Sequence, residues 1–303
     1  MRIASSQFEA TMNRGLEFNQ ENISKLTEQL ADGNKIQVPS DDPITAVRLS
    51  RLTREDDTLN QYRANIGAVK IRLSNNETYL TGVVNDVTQA HDQLVWASDG
   101  GNSSSDLNSM VQTLQSLRDS IYYSSNTKDA EGHYLFSGNQ TGTPSLSFNA
   151  GAAAGSRYSY SGDQGEQKVV VGNGITQTAN VNVQGLDTYL NQLDAAIDQL
   201  QTPGINGTDP ALRAVLKTAL DGSDAALSLV SGKIADLGGA QNILSTLDTN
   251  HANVSLSNET AMTDIGQLDY GVASTQLNGY STALQASYKA YAKISSLSLF
   301  NIL

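Results

Sequence analysis

The sequence predicts a mainly α-helical protein with a small β insert. The expected form is an elongated antiparallel coiled-coil rod, with the N- and C-terminal helices paired at one end and a β-rich domain at the other. Three observations carry this expectation. Between Ile44 and Ala97 every seventh residue from Leu52 is apolar (Leu52, Leu59, Ile66, Leu73, Leu80, Val87, Leu94), and the companion row is Tyr62, Val69, Asn76, Val83 and Ala90. That row is broken at its start by Glu55 and in its middle by Asn76. A second stripe (Leu212, Leu216, Leu220, Leu227, Val230, Ile234, Leu237, Leu244) continues less cleanly to Ile265, over a span that matches the first. Between them, from Gln140 to Val183, the apolar period changes from helical to two. A 3-4 seam over six heptads requires a long partner, and a helix from 44 to 97 would be roughly 80 Å long.

The elements follow in chain order. Phe8, Met12, Leu16, Ile23, Leu26 and Leu30 make a narrow amphipathic stripe, weak alone and suited to order against a partner, and Gly33 ends it. Ser40, Asp41, Asp42 and Pro43 then open the long helix. Ser40 or Asp42 can cap its free N–H groups, Pro43 fits the first turn, and the carboxylates complement the positive helix end. Two adjacent carboxylates without further oxygen ligands make a poor cation site, so the capping reading prevails. A Gly/Ser/Asn turn over 98–105 leads to a shorter stripe, Leu107, Val111, Leu114, Leu117 and Ile121, ending near Ser125. Tyr134 and Phe136 alternate in a strand or extended turn. Residues 157–161 and 166–171 read as a hairpin around Gly162-Asp163-Gln164-Gly165, with 175–183 as a third strand. Leu186, Leu190, Leu193, Ile197 and Leu200 restore helical spacing, which Pro203-Gly204 stops and Pro210 restarts. The last stripe, Leu277, Tyr280, Leu284, Tyr288, Tyr291, Ile294, Leu297 and Phe300, runs with Leu299 into an apolar C-terminus unsuited to water. The expected domains are terminal helices (1–36 and 266–303), a helical rod (37–139 and 185–265) and the β-rich insert (140–184).

Composition narrows the function. The net charge of -12 argues against a nucleic-acid backbone as partner. The absence of cysteine removes thiol catalysis, disulfides and cysteine metal sites, and suits work outside the reducing cytosol. Residues 1–10 lack the apolar run of a cleavable secretory signal, and no window approaches the roughly 18 apolar residues of a membrane span. The histidines, His91, His133 and His251, stand apart from metal-ligand spacing. The stretch from Val169 to Gly174 fails as a dinucleotide loop, because Gln177 occupies the third glycine position and extended chain follows. Asp56-Asp57 reads as a solvated helix face. No catalytic cluster and no cofactor site is expected.

Four groups of residues together carry a family likeness. They are Ile23-Ser24-Lys25-Leu26-Thr27-Glu28-Gln29-Leu30-Ala31-Asp32-Gly33 with Val38-Pro39-Ser40-Asp41-Asp42-Pro43; Gly132-His133-Tyr134-Leu135-Phe136-Ser137-Gly138; Tyr160-Ser161-Gly162-Asp163-Gln164-Gly165-Glu166; and Leu284 to Tyr288 with Leu297 to Phe300. On these the chain resembles the flagellin superfamily, and within it the hook–filament junction family. It departs modestly: Asp32-Gly33 stands where Ser-Gly or Thr-Gly is usual, and the middle is short. The resemblance implies a structural subunit of the extracellular bacterial flagellum, exported without a cleavable signal through the flagellar type III channel. It implies a ring of copies between another hook-associated protein and flagellin, with terminal helices lining the tube. It further implies a cytosolic export chaperone on Leu284, Tyr288, Tyr291 and Ile294. The expected assembly interface is Phe8, Met12, Leu16, Ile23, Leu26, Leu30, Leu277, Leu284, Leu297, Leu299 and Phe300. The rival readings are a flagellin filament subunit and a cytosolic coiled-coil adaptor dimerising along 52–94.

Overall fold

Six helices and four short strands make up the described chain of this computed structural model, which covers residues 2–295, with side chains from 7 to 293. In order they are α1 (Arg2–Asp32), α2 (Pro43–Ala97), α3 (Ser104–Ser125), β1 (Leu146–Phe148), β2 (Tyr158–Tyr160), β3 (Lys168–Gly172), β4 (Ile175–Thr178), α4 (Leu186–Leu200), α5 (Pro210–Gly266) and α6 (Tyr270–Ser295). The chain divides into two compact units, one of residues 1–59 and 253–303, the other of residues 60–252. The boundary thus falls inside α2 and α5 rather than at 36 and 266, and the strands belong to the second unit rather than to a domain of their own.

In the second unit the heptad rows of α2 become a continuous buried edge: Ile66, Val69, Leu73, Asn76, Leu80, Val83, Val87, Ala90, Leu94 and Ala97. Helix α5 runs antiparallel to it. Arg63 pairs with Asp248 at 3.0 Å, Gln241 Nε2 donates to Glu77 at 2.8 Å, and His91 lies 3.8 Å from Asp224. As the number rises along one helix it falls along the other, which brings the apolar stripes together. Because this edge is covered from within the chain, dimerisation along 52–94 has no exposed seam between 66 and 97 to use. Helix α3 joins through Ser120 Oγ, which donates to Asp86 at 2.7 Å, and begins with a capping box between Ser103 and Asp106. Asn76 is fully buried, and neither end of its amide has a hydrogen-bond partner.

The strands correct the expected hairpin. Residues 158–160 pair with 146–148, and 168–172 pair with 175–178, so there are two separate two-stranded antiparallel sheets rather than one. The turn of the second is Asn173-Gly174, with Gly174 at φ +71°, and one extra residue, Val171, bulges from β3 between the Val170 and Gly172 pairs. Gly174 alone supplies the positive φ of this turn, whereas Gly162-Asp163-Gln164-Gly165 does other work. Asp163 Oδ1 accepts from Asn139 N at 2.7 Å and Gly165 N at 2.9 Å, and Tyr160 Oη donates to the carbonyl of Asp163. Gly162 lies so close to Ser137 that a Cβ would sit 2.7 Å from its backbone. The two central motifs of the family likeness are therefore one knot.

Three asparagines dock strand-like chain by pairing both an N–H and a carbonyl with one side chain. Asn126 does so for Leu146, Asn191 for Tyr158, and Asn180 for Gln167 N and the Gly165 carbonyl, each bond 2.8–2.9 Å. Each replaces a missing neighbouring strand, because a buried backbone group left unpaired costs about 1–3 kcal/mol. Beneath β2, the buried carboxylate of Asp194 on α4 receives Arg118 at 2.9 Å, Arg157 at 3.3 Å and the N–H of Gly155 at 3.2 Å.

Removing one partner of a buried ion pair is strongly destabilising. Arg118→Ala should lower the stability of residues 60–252 by about 3 kcal/mol in urea unfolding followed by circular dichroism. Burial pushes Tyr158, Tyr160 and Tyr189 up to about 12. Their folded values exceed the ordinary value of 10, so their contribution is intact below about pH 10 and is lost as pH rises toward 12. Absorbance titration of tyrosinate should show a late class that ionises together with alkaline unfolding.

Candidate functional site

The first unit is built differently. Helices α1 and α6 pair antiparallel: Phe18 and Tyr280 meet edge to face at 6.3 Å, and the chain crosses between Gly33 and Leu268, whose N–H donates to the Gly33 carbonyl at 2.9 Å. The reciprocal bond, Lys35 N to the Gly266 carbonyl at 2.8 Å, closes a short bridge. Gly33 at φ +73° ends α1 with its N–H on the Gln29 carbonyl, and a Cβ there would lie 2.8 Å from the Tyr270 hydroxyl. The α1 seam is Met12, Leu16, Asn19, Ile23, Leu26 and Leu30, in which only Leu26 is buried and the rest are half-buried. On α6 it is Ala273, Leu277, Tyr280, Leu284 and Ser287, with Ala273 alone buried. Leu26 and Ala273 are the only buried apolar side chains of this unit among the described residues. A pair of helices covers one face of each, so a two-helix seam stays partly wet until something else lies across it.

The loop between α1 and α2 is fastened by two neighbouring carboxylates with separate tasks. Asp42 caps α2: its oxygens accept from Thr45 N at 3.1 Å and Thr45 Oγ1 at 2.7 Å, and Pro43 is the first helical residue. Asp41 turns to the loop and to α1, accepting from Lys25 Nζ at 2.7 Å and from the amides of Gln37 and Val38. The cap is therefore Asp42, not Ser40, and Asp41 is a loop clasp. The Lys25 hydrogen bond holds the Asp41 carboxyl below its usual value, and the Thr45 hydroxyl does the same for Asp42. Farther along, Thr53 Oγ1 lies 3.5 Å from Met262 Sδ, and Ser255 Oγ donates to Asp56 at 2.5 Å.

The residues expected at an assembly interface fall into three groups. Leu16, Ile23, Leu26, Leu30, Leu277 and Leu284 lie in the α1–α6 seam with Met12, whereas Phe8 is exposed. Of the expected chaperone surface, Tyr288 and Tyr291 are exposed, and Leu284 faces the seam. The side chain of Ile294 and the whole of Leu297, Leu299 and Phe300 lie outside the described residues. Sequence reasoning passed over Asn19 and Ala273. The seven-residue gap from Leu16 to Ile23 marked the place of Asn19, since a seam position must fall inside it.

A helical subunit with one unit closed on its own core, and another whose apolar seam stays half in water, has the build of a component of a larger structure. The family of the bacterial flagellin N-terminal helical region matches residues 3–141. The flagellar hook-associated protein 3 of Escherichia coli strain K12 is 29% identical, with 100% of this chain and 99% of that protein covered. The protein of the same name from Salmonella typhimurium strain LT2 is 28% identical, with 100% and 99% covered. A solved structure described as a flagellar hook-associated protein of Vibrio parahaemolyticus is 32% identical, with a TM-score of 0.69 over 75% of this chain and 100% of that one. The chain belongs to the hook-associated protein 3 family of the flagellin superfamily, and so is a structural component of the flagellum.

Depressed carboxyls add stability that is present above the ordinary aspartate value and is lost as pH falls through the lower folded value. The amides of Gln37 and Val38 should therefore shift in NMR spectra only below about pH 4. Asp41→Asn should speed their hydrogen exchange at neutral pH while leaving α2 folded.

Proposed function

We propose that this chain is the structural subunit that joins hook to filament, assembling as a ring between another hook-associated protein and flagellin. The observation that carries the reading is the half-wet α1–α6 seam. Leu16, Ile23, Leu277 and Leu284 are placed at core spacing yet are incompletely covered, which suits helices that finish burying their apolar faces against neighbouring subunits. The full-length likeness to two hook-associated proteins supports the position in the flagellum.

The same surface serves transit. In this reading the protein leaves the cell through the flagellar export channel and works outside it. Before export, a cytosolic chaperone holds the apolar stripe of Leu284, Tyr288, Tyr291 and Ile294. The role requires no cofactor and no catalytic residue. A flagellin filament subunit differs in building long filaments alone, and concentrated purified protein should form none by electron microscopy.

Deleting the gene should leave hooks in place while flagellin is shed as monomer. Leu16→Asp or Leu277→Asp should reproduce that loss, with the thermal unfolding of residues 60–252 unchanged. Filaments retained by the deletion strain would overturn the reading.

A further inference from the structure

Outside the α1–α6 seam, the first unit carries two exposed faces of opposite character. On the first turns of α2, Ile44 is 78% exposed and Val47 68%, and they share a face with the exposed Arg48, Arg51 and Arg54. Spacings of three, four and seven put these residues along one strip of α2 that borders Leu52 and Leu59, and the exposed Glu55 lies in the same strip. Arg48 and Arg51 form no ion pair among the described residues. On α1, Glu17, Glu21 and Glu28 are exposed at spacings of four and seven, opposite the seam of Leu16, Ile23 and Leu30; they form no ion pair among the described residues, and at their edge stand the exposed Arg14 and Lys25, the latter paired with Asp41. Phe18, 58% exposed, flanks that acidic row.

We infer that the basic, apolar face of α2 in one copy of this chain docks on the acidic face of α1 in the next copy. The two faces match in length, about 15 Å from Ile44 to Arg54 and about 16 Å from Glu17 to Glu28. They match in charge, Arg48 and Arg51 against Glu17 and Glu21, while Phe18 offers apolar area to Ile44 and Val47. In a ring the contact is heterologous: each copy uses one face on each side, and the interaction runs from copy to copy instead of closing as a reciprocal pair. Opposite charges across such a contact set register and reject a copy presented the wrong way round. The inference rests on the assembling role proposed above and names the surfaces that copies use on each other.

The absence of cysteine makes the test clean, since every disulfide must come from an introduced pair. Arg51→Cys and Glu21→Cys, carried on separate copies expressed in one cell, should give a cross-linked dimer in oxidised flagella, and neither variant alone should do so. No dimer, or a cross-link to a different polypeptide, would overturn the inference. In a second arm, Arg48→Glu with Arg51→Glu should lower the fraction of cells retaining filaments by up to about fivefold, the upper end for one exposed ion pair. Adding Glu17→Arg and Glu21→Arg to the same chain should recover most of that loss. A reversal without effect, or one that the second pair does not rescue, rejects the contact. Both faces are solvent-exposed, so circular dichroism should be unchanged throughout. If the deletion strain sheds flagellin while the reversal does nothing, the contact fails and the junction role stands; if the deletion strain keeps its filaments, the role itself fails.

Discussion

The structure depends on the antiparallel seam between α2 and α5. A helix of 55 residues cannot be held by propensity, because helical stability in water comes from an apolar stripe packed against something else. From Ile66 to Ala97 the stripe is buried without a gap, and the contacts with α5 change partner in strict opposition along the two helices. The exception is Asn76, whose amide is enclosed and unpaired. An unpaired buried amide costs about 1–3 kcal/mol, and a single polar residue in a coiled-coil seam is a known means of fixing register at the expense of stability.

The same kind of repeat has two outcomes in this chain. In residues 60–252, α2 meets α5, α3 and, through Asn65 on the Val170 carbonyl, β3, and its seam is dry. In the first unit, among the described residues, the α1–α6 seam from Met12 to Leu30 has only the short α1–α2 loop beside it, and its positions other than Leu26 remain half-exposed. The difference lies in the number of neighbours, not in the residues, since Leu16 and Ile23 are as apolar as Leu73 and Leu80. A structural component of the flagellum can leave such a seam unfinished, because the structure that it enters supplies further surfaces.

The strands were the least legible part. Alternation was evident in 157–161 and 166–171, but alternation does not name a partner. The Gly162-Asp163-Gln164-Gly165 stretch had the composition of a turn and proved to be a clasp on Ser137 and Asn139, while the true hairpin turn was Asn173-Gly174. The paired hydrogen bonds of Asn126, Asn191 and Asn180 leave no periodic trace, because each depends on one side chain meeting a backbone distant in sequence. Asp194 was hidden for the same reason: within an apolar stripe on α4, nothing local indicates that two arginines converge on it. At the opening of α2, three plausible caps stood together, and only the geometry divided the work between Asp41 and Asp42.

The sequence alone determined the helices, their ends, the long matched stripes and the family, because period, caps and glycine stops act over a few residues and survive in one dimension. Only the tertiary structure decided which strands pair, where the chain divides into units and which seam is dry. Those outcomes turn on how many surfaces reach a given side chain, and that number is set by parts of the chain far from it.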